Sequence, residues 1–383
     1  MQSLTELQIE KDRLDLPCLT QSTYVDSAAV TPLPRSIQNA MNAHLDDLVE
    51  DVRMACVRSE KSYEVGRSLA AKLVWSTPER IAYIQNTSHG MSLVALGVDW
   101  KKGDNLVIPA MEFPSNYLCW MQLVEKGVEI RKVDAVEGRL QAEDFARHID
   151  SRTRVVAVSH VQFYSGYKVD LACIAVACSA FDALLVVDGT QSIGAMTLDV
   201  AASGVDVLVV SGHKWLMGPR GIGFMSFSER AFTRITPRIV GWLSVEEPFA
   251  FKRTLTLLPD ARRFEAGTEN GVGIAGLAER LRQIDELGAQ RIEDRVLDLN
   301  QRLLLRSQDA GLEIVHPFER HERSGICLIR KPGVNAEALL RALETQRICA
   351  SLRNGAIRLS PHYFNTHAEI ENIVATLQSV KAG

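Results

Sequence analysis

Residues 184–227 read LLVVDGTQSIGAMTLDVAASGVDVLVVSGHKWLMGPRGIGFMSF. Three short apolar runs, LLVVDG (184–189), DVLVVSG (206–212) and GIGFMSF (221–227), are rich in Val, Leu and Phe with no polar face. Such runs read as strands of a sheet covered on both sides. Working outward, RIAYI (80–84), NLVIPA (105–110), VEIRKV (128–133) and RVVAVSH (154–160) also read as strands, and most of the seven runs are apolar on both faces. Helical patterns lie between them at 61–75, 88–99, 115–126, 169–182 and 192–203. Strand–helix alternation implies right-handed βαβ units, hence an α/β fold whose mainly parallel sheet is covered by helices. Open parallel sheets hold ligands beyond the carboxyl ends of their strands, so functional residues are expected just after these runs.

Past residue 262 the character changes. A long helical stretch, 274–311, ends at a glycine stop, and strand-like runs LEIVHP, SGICLIRK and AIRLSP alternate with helices at 335–346 and 366–381. This is an α+β pattern. The expected division is an N-terminal segment (1–20) packing on the small domain, a large domain (21–262) and a smaller C-terminal α+β domain (263–383).

The 383 residues carry 43 Lys and Arg against 47 Asp and Glu, so the net charge of −4 gives no reason to expect nucleic acid or an anionic membrane as partner. No run approaches the ~18 apolar residues that span a bilayer. The polar, acidic start resembles neither a secretory signal nor a transit peptide, and a cytoplasmic location is expected. Seven cysteines (18, 56, 119, 173, 178, 327, 349) show no CxxC spacing. Most of them read as small apolar core residues, without a disulfide framework or a metal site.

The chemistry concentrates where the opening stretch turns polar. Asp188 ends one strand with Gln191 three residues on, and Ser211, His213 and Lys214 close the strand after it. A sheltered lysine that loses its proton attacks an aldehyde to form a Schiff base. An acid beside a pyridine nitrogen keeps that ring protonated, and the charge in turn keeps the carboxylate ionised. Singly, these residues have plain readings: Asp188 as a helix cap, Lys214 as a surface lysine, His213 as a turn residue. As one spaced set they point to pyridoxal 5′-phosphate (PLP).

The set D-x-x-Q…S-x-H-K with the following G-P-x-G-I-G resembles the signature of the class V aminotransferases. These are PLP enzymes of fold type I that include cysteine desulfurases and isopenicillin N epimerase-like proteins. The resemblance runs from VDSAAVTPLP to AIRLSPHYFNT. It implies that Lys214 forms the Schiff base with PLP, Asp188 pairs with the ring nitrogen, Gln191 bonds the ring hydroxyl, and Ser211 and His213 help hold the phosphate. In QNTSHG (85–90), Thr87 and Ser88 match the phosphate-binding turn that opens a helix, although plain N-capping needs the same residues. His89 reads as a capping or solvated residue. In AMEFPSNYLCW (110–120), Phe113 stands where the family stacks a ring on the cofactor; it can stack but cannot move protons, unlike the histidine of sulfur-mobilising desulfurases. His160 reads as a satisfied pocket-wall residue. FEAGT (264–268) implies that Thr268 reaches the phosphate of a neighbouring subunit, hence a homodimer with shared sites. The GxGxxG at 271–276 follows no strand, so a dinucleotide reading fails. Arg358 matches the arginine that grips a substrate carboxylate.

The expected activity is that of a PLP-dependent enzyme acting on an α-amino acid, with transamination first. Alternatives are a β-eliminating C–S lyase or cysteine desulfurase-like enzyme, an epimerase and, in another class, a non-catalytic PLP-binding or regulatory protein. RICAS running directly into LRNGAIRLS leaves no room for a mobile loop with a nucleophilic cysteine, and Cys349 reads as core.

Overall fold

The computed structural model describes residues 4–381. Along the chain, its strands are β1 (Thr23–Tyr24), β2 (Ile81–Ile84), β3 (Asn105–Pro109), β4 (Glu129–Val133), β5 (Thr153–Ser159), β6 (Leu184–Asp188), β7 (Val207–Ser211) and β8 (Gly223–Phe227), followed by β9 (Glu313–Ile314), β10 (Cys327–Arg330), β11 (Ile348–Cys349), β12 (Ser351–Arg353) and β13 (Ala356–Leu359). All seven apolar runs from 80 to 227 enter one sheet of order β2-β8-β7-β6-β5-β3-β4. Its pairings are parallel except at β8, which runs against β7 and β2. Alternation within β6 and β7 feeds two apolar clusters. Leu185, Val187, Leu208 and Val210 face one, while Leu184, Val186, Val207 and Val209 face the other. Both faces are therefore dry, which explains the lack of polar alternation in these runs. The edge strand β4 exposes Glu129 and Lys132, charges that discourage pairing with another chain.

Three helix expectations need correction. Residues 192–203 form turns. Ser192 and Ile193 hydrogen-bond back to the carbonyl of Gly189, and Gly194 at φ +103° breaks any helical run. Residues 115–126 give only one short α-helical turn, Leu118–Met121, between 3₁₀ turns at Pro114–Asn116 and Val124–Lys126. The single long helix over 274–311 is two, Gly271–Leu287 and Ala289–Asp309, divided at Gly288, whose φ of +86° no α-helix accommodates.

The first of these two helices packs on helices Arg35–Glu50 and Val52–Leu73. Its glycines explain the GxGxxG string. A Cβ on Gly276 would stand 2.6 Å from Pro219 and 2.9 Å from Met41, so the motif serves close packing. The second leads into an antiparallel sheet of order β12-β13-β10-β9, whose apolar cluster includes Leu299, Leu303, Cys327, Ile357 and Ile370. The N-terminal stretch is tied across the molecule. β1 pairs in parallel with β11, Asp26 bridges to Ser360, and Arg13 forms an ion pair with Glu369 at 2.9 Å.

The Glu of FEAGT has a structural duty. Glu265 accepts two guanidinium hydrogen bonds from buried Arg67 (2.6 and 3.1 Å) and the backbone N–H of Tyr83 on β2 (2.7 Å). Replacing one member of such a pair leaves the other charge buried and alone, at a cost of about 3–5 kcal/mol, whereas an apolar pair can be tolerated. Glu265→Ala is therefore expected to lower the thermal unfolding midpoint markedly, with Arg67→Met/Glu265→Met recovering much of the loss in the same scan.

Candidate active site

The carboxyl ends of β2, β3, β5, β6 and β7 face one cavity of about 520 Å³. Of the residues singled out in the sequence, Thr87, Ser88, Phe113, Asp188, Gln191, Ser211, His213, Lys214 and Arg358 all line it. Thr268 does not; it lies exposed.

At one end, helix Thr87–Gly97 begins with Asn86 as its N-cap, accepting from the N–H of His89 at 2.9 Å. His89 is thus part of the cap geometry, its Nδ1 accepting from the N–H of Gln85 at 3.3 Å. Thr87, Thr190 and Ser211 bring their hydroxyls together: Thr87 Oγ1 lies 2.7 Å from Thr190 Oγ1 and 2.8 Å from Ser211 Oγ, which also accepts from the Thr87 N–H at 2.9 Å. Ser88 donates to Ser115 at 2.8 Å. Hydroxyls over a helix N-terminus form a ready cradle for a phosphate.

At the floor, Asp188 is buried. It accepts from the N–H of Thr190 at 2.9 Å, while its backbone carbonyl accepts from the N–H of His160 at 3.0 Å. Burial pushes its carboxyl up, against the lowering effects of the Thr190 hydrogen bonds and the charge of Lys214. Lys214 follows the end of β7 and is shifted the other way, down to about 8. Burial is the main cause, and the charges of Arg358 and Arg353 add to it while Asp188 and Asp26 oppose it. Its Nζ stands 5.0 Å from the centre of the Phe113 ring, and Phe113 meets Phe163 edge-on at 5.2 Å. Thr31 fixes the backbone at Lys214 by donating to its carbonyl at 2.6 Å. His213 is held towards its neutral form, mainly by burial, then by Lys214 and Arg220. Gln191 is gripped at both ends, donating to the Ala28 carbonyl and accepting from the Trp215 indole, each at 2.9 Å. A primary amide has a second hydrogen and a second lone pair, so it still has capacity to bond a ligand.

Arg358 enters from β13. It pairs with Asp26 at 3.1 Å and donates to Ser351 at 3.2 Å and to the Phe163 carbonyl at 3.4 Å. Ser351 in turn donates to Asp26 at 2.9 Å.

The satisfied reading of His160 requires correction. Its ring Nδ1 is buried without a hydrogen-bond partner among the described residues, and burial drives its pKa down to about 3. Sequence reasoning also passed over Arg353 and Ser159, both on the cavity wall, and Glu112, which lies behind it. Buried Glu112 accepts from the Ser159 N–H at 2.7 Å and from Gln162 at 3.0 Å. Its position two residues after an apolar run was its only signal. Arg353 had a better one, since it immediately precedes Asn-Gly, a hairpin turn pair.

Among known proteins, the chain matches the family Aminotransferase class-V over residues 23–373. It is 29% identical to a protein of Methanothermobacter thermautotrophicus named "Probable cysteine desulfurase", covering 98% of each chain. Its fold superposes on a cysteine desulfurase from Thermococcus onnurineus NA1 with a TM-score of 0.87 and 26% identity, covering 99% of this chain and 98% of that one. It also superposes on the cystine C–S lyase C-DES in complex with cysteine persulfide, with a TM-score of 0.88 and 25% identity over 95% and 99% of the two chains. A family match of that extent, on a mostly parallel sheet with its polar residues at the strand ends, places this chain in the class V aminotransferase family of PLP-dependent enzymes.

Proposed function

We propose that this chain binds PLP at Lys214 and acts at the Cα of an α-amino acid, with transamination as its reaction. The observation carrying this reading is the meeting, in one cavity, of an amine shifted towards neutrality, a buried carboxylate and a guanidinium. The residues fit the cofactor. Buried Asp188 has no cationic partner within ion-pair distance among the described residues, and a protonated ring nitrogen meets that need. The hydroxyl cluster of Thr87 and Ser211, with Ser88 and His213, suits the phosphate. Phe113 offers an aromatic face, and Gln191 an amide for the ring hydroxyl. When bound, PLP supplies an aldehyde for amine exchange and a ring that accepts the electron pair left at Cα.

The chain's residues do the rest. Arg358 holds the substrate α-carboxylate, with Asp26 and Ser351 fixing the guanidinium. Lys214, held towards neutrality by burial and two neighbouring cations, takes the Cα proton on Nζ and, for transamination, would deliver it to the cofactor's former aldehyde carbon and not back to Cα. Phe113 and Phe163 bear no exchangeable ring proton and so leave this transfer to Lys214.

A C–S lyase is the second reading, favoured by the likeness to C-DES. Sulfur transfer onto the chain itself is not proposed. Cys349 is held in β11 against β1 and does not line the cavity. The family resemblance also supports two copies sharing their sites. Thr268 is exposed, and nearby Trp242 meets Phe249 edge-on at 5.6 Å, with Phe251 and Leu255 also exposed, an apolar surface of the kind that docks a partner.

Borohydride reduction of the PLP-loaded enzyme, followed by peptide mass mapping, is expected to place the cofactor on Lys214; a label elsewhere, or none, overturns the reading. Turnover by Lys214→Ala is expected to fall by more than about 1,000-fold, since nucleophile and base are both lost. Conversion of the visible spectrum to the pyridoxamine form identifies transamination, whereas pyruvate and ammonia from a cysteine derivative identify the lyase. In cofactor-free protein, the rate at which Lys214 takes up PLP is expected to rise with pH about a midpoint near 8, not 10.5. Between those values the unfolded chain keeps a proton that the folded chain has released. Lys214 alone therefore makes the fold more stable as pH rises through that window.

A further inference from the structure

The hairpin β12–β13 places a second guanidinium in the same cavity. Ser351 pairs with Arg358, and Arg353 pairs with Ala356. Alternate residues of a strand share a face, so Ser351, Arg353, Ala356 and Arg358 share one face of the hairpin. Arg353 and Arg358 both line the cavity. The turn between the strands is Asn354–Gly355, both at positive φ (+51° and +69°), the two-residue form that fixes register without slippage. Ala356, the residue across from Arg353, is only a methyl group and leaves the long side chain room.

The two arginines differ in what they already hold. Arg358 is engaged by Asp26, Ser351 and the Phe163 carbonyl. Among the described residues, the Arg353 side chain donates only to the carbonyl of its neighbour Leu352, at 2.6 Å, and has no carboxylate within ion-pair distance. The same lining includes Phe113 and Phe163, which offer no charge. Lys214, Arg353 and Arg358 thus line the cavity against one lining carboxylate, Asp188. With the phosphate on the hydroxyl cluster and an α-carboxylate joining Asp26 at Arg358, no anion is yet assigned to Arg353.

We infer that Arg353 is a second anion-binding group and that the substrate is an α-amino acid carrying a further, distal carboxylate. This deepens the proposed action on an amino acid at Lys214 and rests on it. A planar guanidinium suits a carboxylate better than a lysine would, because its fork donates two parallel hydrogen bonds. A charge-assisted contact in a sheltered cavity corresponds to about 10- to 100-fold in affinity.

The test uses PLP-loaded enzyme and amino acids that lack a Cα hydrogen and so bind without reacting: 2-methylaspartate and 2-methylglutamate, with 2-aminoisobutyrate as the neutral control. Dissociation constants are read from the visible spectrum of the cofactor. The better of the two diacids is expected to bind at least about 10-fold tighter than the control. Arg353→Gln is expected to erase that preference, and Arg353→Lys to keep part of it. Equal binding of diacid and control by the unaltered enzyme overturns the inference. So does an Arg353→Gln variant that weakens all three analogues alike, or one that releases PLP, which would make Arg353 a cofactor anchor. Borohydride labelling separates the two levels. With the label on Lys214 and no diacid preference, only the second-carboxylate inference falls; with no label on Lys214, both fall.

Discussion

An amine and a carboxylate are drawn out of water at the ends of two adjacent parallel strands, β6 and β7, and among the described residues neither has an ion-pair partner. Burial drives Lys214 towards its neutral form and raises the Asp188 carboxyl. Taking charge into a low-dielectric site is costly unless a ligand supplies what is missing. The sheet makes this possible because both of its faces are dry, so the strands emerge rigid and the polar residues fall just past their ends. The rest of the site is arranged around that electrostatic demand, from the hydroxyls over a helix N-terminus to the guanidiniums brought by the small antiparallel sheet.

Delivery of those guanidiniums depends on the N-terminal stretch as much as on the hairpin. Asp26 reaches Arg358 because β1 lies along β11 and the chain then bridges to Ser360. The next residues reach the cavity from the other side, with Ala28 holding Gln191 and Thr31 holding the Lys214 backbone. A short length of chain, from Thr23 to Thr31, therefore connects Arg358 to Lys214. Further contacts join the C-terminal part of the chain to the loops of the large sheet, where Ser324 donates to the carbonyl of Gly166 and Arg139 pairs with Glu322.

The central strands were legible because their residues answer to one requirement, burial on both faces, which marks runs such as those of β6 and β7 continuously, whereas the edge strand β4 carries charges. The residues following them were legible as a spaced set, and the structure brings nine of them into one cavity. Helices were less legible where tertiary contacts outweigh local preference. Residues 192–203 have helical composition, yet a buried turn around Gly194 forms there, and Thr197 is held by Glu293 from a distant helix. Gly288 looked like a tolerated residue within one helix, but its left-handed backbone divides two. Arg353 went unnoticed for another reason. Its position depends on cross-strand register, which only the Asn-Gly turn announces, and that turn was read as the absence of a loop instead of the presence of a hairpin.

That turn has a consequence for how such a site can change. A connection of two residues has no slack, so Ser351, Arg353, Ala356 and Arg358 travel together as one stiff plate. A longer or shorter ligand is not met by reshaping the loop, because any insertion at Asn354–Gly355 would shift Arg353 and Arg358 at once. Diversification must instead proceed through the rest of the cavity lining or through the length of the plate's side chains, which makes Phe113 and Phe163, on that lining, natural places for ligand preference to drift while the hairpin stays put.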